Sequence, residues 1–77
     1  MNRQSVVHQI RLGGVQASIW EESSLQDVKY RVSISRANRP GERPGHAEQF
    51  EPDHLPLIAE LAEMAHLWIC EQAELIA

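Results

Sequence analysis

The residues able to do covalent or metal chemistry are few: four histidines (His8, His46, His54 and His66) and one cysteine, Cys70. His54 and His66 stand twelve positions apart, about 120° around a helix, and no set of these residues has the spacing of a metal site. His66 and Cys70 are one helical turn apart, the separation of a thiol and its base. The competing reading of Cys70 is a small apolar residue near a helix end. Glu21 and Glu22 read as a solvated strand end rather than a catalytic carboxylate pair. No glycine-rich phosphate loop is present. The expectation is a non-enzyme with no cofactor and no metal.

A different kind of site is suggested by GVQASIWEES, Gly14 to Ser23. Val15, Ala17 and Ile19 alternate with Gln16, Ser18 and Trp20, so a large aromatic closes a polar row. Bases stack on such rings, and phosphates follow Lys and Arg. The candidate nucleic-acid-binding residues are Arg11, Trp20, Lys29, Arg31, Arg39 and Arg43. Two other readings of Trp20 stand beside this one: a ring tucked under a loop or the N-terminal arm, and a contact with a protein partner.

Four strands and a helix would position these groups. Residues 1–5 read as a flexible arm, and 6–77 as one ββββα domain. Val6 to Leu12 alternates, with Val6, His8, Ile10 and Leu12 on one side. Gly13-Gly14 reads as a tight hairpin turn, and Val15 to Glu22 as the second strand. Val28 to Arg36 is the third, with Val28, Tyr30, Val32 and Ile34 opposite Lys29, Arg31, Ser33 and Ser35. ANRPGERPGH, Ala37 to His46, contains Arg-Pro-Gly twice and reads as a basic loop leading to a short fourth strand near Ala47 to Phe50. The core side then holds Val6, Ile10, Leu12, Val15, Ala17, Ile19, Tyr30, Val32, Ile34 and Phe50. The outer side collects Gln9, Arg11, Gln16, Ser18, Trp20, Lys29, Arg31, Ser33 and Ser35, with three cations and no acid.

From His54 to about Leu75 the chain is rich in Leu, Ala and Glu and has only Pro56 as a breaker, in the first turn, where a missing N–H costs nothing. Asp53 is placed to cap this helix. Leu55, Ile58, Ala62, Ala65 and Ile69 form one apolar stripe. Leu57, Leu61, Met64, Trp68 and Leu75 form a second row with heptad-like spacing. Either a curved sheet buries both rows, or the second row is the interface of a homodimer.

Composition supports a partner. A chain of 77 residues buries only about 60% of its unfolded surface, so its core is thin. All seven Lys and Arg lie before residue 48, giving that part +3, while the remainder holds seven acids and sums to −7. Separate surfaces of opposite charge are implied. A single cysteine, with no leader-like or membrane-length apolar run, points to a reducing, cytoplasmic setting with no membrane contact. The expected partners are a second copy, single-stranded DNA or RNA, or an unknown protein.

The order strand-turn-strand-strand-strand-helix resembles the positive-cofactor-four-like transcriptional coactivators and, more distantly, the Whirly proteins. The resemblance is one of layout, from Val6 to about Leu75. It implies a curved antiparallel sheet that holds single-stranded DNA and helices that mediate dimers. The pieces IRLGGVQASIW, YRVSISR and DHLPLIAELAEMAHLWI are more closely similar to small uncharacterised bacterial proteins.

Overall fold

The computed structural model describes residues 3–37 and 48–76, with side chains for 4–37 and 48–74. Three strands, β1 (Arg3–Leu12), β2 (Val15–Ser23) and β3 (Val28–Arg36), form an antiparallel sheet in the order β1-β2-β3. A 3-10 turn, Pro52–His54, leads into the helix α1 (Leu55–Ile76). The architecture is α+β: a three-stranded meander with one C-terminal helix.

The first hairpin closes as the glycine pair predicts. Leu12 pairs with Val15, and Gly13 alone of the two glycines has positive φ, at 60°. That is the pattern of a type II′ turn, whose twist matches the flanking strands. The β2–β3 connection is held by Ser24, whose N–H donates to the Asp27 carbonyl at 2.9 Å. Asp27 Oδ1 in turn accepts the Val28 N–H at 2.9 Å, starting β3.

The core is a β2–α1 contact. Val15, Ala17 and Ile19 from β2 and Leu61 and Ala65 from α1 are its buried members. Ile10, Leu12, Ile34, Phe50, Leu57 and Ile58 pack around them. Trp68 reaches farther along the sheet, stacked on His8 at 4.9 Å with 5° between the rings and meeting Tyr30 edge-on. These contacts settle which part of α1 faces the sheet. It is the seam between the two apolar rows: Leu57, Leu61 and Trp68 on one side of it, Ile58, Ala65 and Ile69 on the other. Leu61, expected at a dimer interface, is 0% exposed within one chain. Leu57 and Trp68 also turn inward, Met64 stays exposed, and the Leu75 side chain lies outside the described residues.

Four further expectations change. A register shift between Val6 and His8 leaves Val7 as an extra residue, so Val6 pairs with Trp20 on the outer face instead of joining the core. A bulge reverses the parity of everything before it, which alternation alone cannot reveal. Arg3, Gln4 and Ser5, read as part of an arm, pair with Ser23, Glu22 and Glu21. No fourth strand forms among the described residues: Glu48 to Phe50 contain no strand, and the chain is held there by the Arg36 side chain donating to the Gln49 carbonyl. Ala47 is outside the described residues. Finally, the helix entry is organised by Glu51 and His54 rather than Asp53. The Glu51 N–H donates to His54 Nδ1 at 3.1 Å, and the His54 N–H donates to the Glu51 carbonyl at 2.9 Å.

Two stability predictions follow from this packing. Leu61→Ala is expected to cost about 2–5 kcal/mol, a large share of a small domain's stability, read as a lower urea midpoint. Gly13→Ala places a Cβ 2.8 Å from Leu57 Cδ1 at positive φ, whereas the nearest atom to a Cβ on Gly14 is His54 Nε2 at 3.9 Å. Gly13→Ala is therefore expected to cost about 1–2 kcal/mol, and Gly14→Ala much less.

Candidate nucleic-acid interface

The outer sheet face is built by the cross-strand register. Arg11, Gln16 and Ser35 form one row, Gln9, Ser18 and Ser33 the next, and Val6, Trp20 and Arg31 the third. Gln4, Glu22 and Lys29 form the fourth. Paired residues share a side, so every residue assigned to this face by alternation lies on it. Three of the six candidate cationic and aromatic positions gather there on adjacent strands: Trp20, Lys29 and Arg31. Arg11 joins them from two rows away. Arg39 and Arg43 lie outside the described residues.

Trp20 is 36% exposed. Its indole N–H donates to Ser33 Oγ at 3.1 Å, so the ring leans across β3 toward the next row. That bond satisfies the polar end of the ring. Gln4, Arg31 and Ser33 line a shallow recess beside it. At the other end, Arg11 Nε donates to Gln16 Oε1 at 3.0 Å and Gln16 Nε2 to Ser18 Oγ at 3.3 Å. This chain of side-chain bonds holds the Arg11 guanidinium over the sheet.

The expectation of an acid-free face does not hold. Glu22 lies on the same face, opposite Lys29, and its Oε2 stands 3.2 Å from Arg31 Nη2. The Arg31 side chain is 67% exposed, so its guanidinium is still open to solvent, whereas the Glu22 side chain is only 19% exposed. The carboxylate nonetheless reduces the positive potential beside Trp20. Gln4 and Val6 are the other residues that sequence reasoning missed. Gln4 and Val6 lie beyond or beside the bulge, where period-two patterning gives no signal, whereas Glu22 continues the row of Gln16, Ser18 and Trp20, and that alternation is the signal that could have found it.

Elsewhere the chemistry is sparse. Cys70 Sγ and His66 Nε2 stand 3.5 Å apart on the exposed side of α1. Among the described residues no group of three or more His, Cys, Asp or Glu is placed to hold a metal ion. No helix there is long and apolar enough to cross a membrane.

No family model, no curated protein and no solved structure matches this chain.

The Ser33 bond makes a direct prediction. In a Trp68→Phe background, which isolates the emission of Trp20, Ser33→Ala should free the indole. Acrylamide should then quench Trp20 more efficiently, and an unchanged quenching constant would show that Ser33 does not hold the ring.

Proposed function

We propose that this chain is a non-catalytic module that binds single-stranded nucleic acid on its outer sheet face and works as a homodimer. The observation that carries the reading is the position of Trp20. A partly exposed indole, its N–H already bonded, sits beside Arg31 with Lys29 and Arg11 on the same face. Such a surface offers stacking and phosphate contact together, without base-edge readout. The small neighbours Ser18, Ser33 and Ser35 leave space for a base against the sheet. The acids of α1 occupy other surfaces, so an overall charge of −4 does not oppose binding locally. A free thiol at Cys70 fits a reducing compartment, and we assign the module to the cytoplasm.

A protein-interaction role is the second reading, and a specific observation favours it. Val6 is exposed next to Trp20, and the Glu22–Arg31 pair lowers the charge there. Salt separates the two readings. Phosphate contacts weaken steeply as salt rises, whereas apolar protein contacts do not.

Anisotropy of a labelled single-stranded oligonucleotide at low salt is the test. Trp20→Ala should cost about 1–3 kcal/mol of binding, as one lost stacking contact. Lys29→Ala should lower the salt slope by about 0.7, the value for one phosphate on a single strand. Glu22→Gln should tighten binding. Failure of any oligonucleotide to bind at low salt would hand the face to a protein partner.

A further inference from the structure

β3 is an edge strand of a regular kind. It pairs with β2 over its whole length, Val28 to Arg36, without a bulge, and among the described residues its other edge pairs with nothing. The opposite edge of the sheet differs, because β1 is interrupted at Val7. Bulges are a common device for making an edge unfit for pairing, and a long flat edge without one is a template for another strand.

The inner face along β3 is also uncovered. The buried helix and strand residues belong to α1 and β2, so α1 lies over β2 and leaves β3 at its flank. Val32 is 41% exposed although it belongs to the core row. Two grooves run along this flank. One of ≈ 310 Å³ lies between Val32 and Ile34 and the helix residues Ala62, Ala65 and Ile69. The other, of ≈ 650 Å³ and partly polar, lies between the β2–β3 loop, Val28 and Tyr30 on one side and the helix residues Ile69 and Ala73 on the other.

We propose that a second copy of this chain occupies this flank, pairing its β3 antiparallel to the first about a two-fold axis at Val32. The inference specifies the interface of the homodimer proposed above and rests on that reading.

The strand is its own complement in this register. All nine residues pair, Val28 with the partner's Arg36 and Val32 with the partner's Val32. Tyr30 meets the partner's Ile34 on the inner face. On the outer face Lys29 meets the partner's Ser35 and Arg31 meets the partner's Ser33, so no two cations face each other. A register centred one residue earlier would place Arg31 against itself, a repulsive pair. A two-fold contact of this type closes on itself and leaves no free β3 edge for further growth. The product is a six-stranded sheet with one helix from each copy on the inner face. Its outer face is continuous, and the two Trp20 strands are three strand spacings apart, about 14 Å.

Light scattering on the full chain, read across micromolar concentrations, should give about twice the 8.7 kDa chain mass. Val32→Lys puts a charge on the inner face of the edge and should return the mass to one chain. Because that variant could also unfold, circular dichroism is read alongside, and a second variant tests the register. In a Cys70→Ser background, Val32→Cys should form a disulfide-linked dimer on mild oxidation, since opposed residues of an antiparallel pair have Cα atoms about 4.5–5.5 Å apart, inside the disulfide range. Leu25→Cys, at the exposed tip of the β2–β3 loop, should not cross-link. A monomer at every concentration would overturn the homodimer reading and the interface together. A dimer that survives a folded Val32→Lys, or that fails to cross-link through Val32→Cys, would overturn only the β3 interface. Oligonucleotide binding is measured separately and does not depend on either result.

Discussion

The burial of the β2 inward row beneath Leu61 and Ala65 is the contact on which the rest of this structure depends. Val15, Ala17 and Ile19 are the only strand residues fully removed from water among those described, and they need a helix to cover them. A central strand is satisfied on both edges by its neighbours, so its side chains can be sealed by a single helix laid over it. The flanking strands then receive only what the helix covers in passing. β1 gains the His8–Trp68 stack, and β3 is left with half-covered apolar residues. Among the described residues no second helix covers that flank.

The same central strand sets the outer face. Because β2 is fixed from within by its apolar row, its alternate residues Gln16, Ser18, Trp20 and Glu22 are held outward in one line. Their partners on β1 and β3 follow through the hydrogen-bond register. Trp20 is thereby placed in contact range of Ser33 and beside Arg31, residues separated from it in sequence by a hairpin. The face is more balanced electrically than a simple basic surface. Arg31 is shared with Glu22, and Arg11 is committed to Gln16. Selectivity on such a surface would come from the ring and from geometry more than from net charge.

Much of this was legible in the sequence, and for a physical reason. Strand alternation and turn glycines are local signals, because side-chain parity follows from the pleat and positive φ from the absence of a Cβ. The three strands, the Gly13-Gly14 hairpin, the long helix and the outer-face membership of Arg11, Trp20, Lys29 and Arg31 all follow from such signals. Pro56 in the first helical turn does too.

What only the tertiary structure decided is whatever depends on where one element lies upon another. The bulge at Val7 turned Val6 to the outer face, since it arises from pairing with β2 and not from β1 itself. The seam of α1 that meets the sheet lies between its two apolar rows, so Leu61 and Trp68 serve the chain's own core. A helical pattern shows how wide an apolar surface is but not which line of it touches the sheet. Glu22 joined Arg31 because the β2–β3 register, not either strand alone, sets the two side chains next to each other. The sequence determined the elements and their two faces by local stereochemistry, and packing chose which apolar surfaces were consumed.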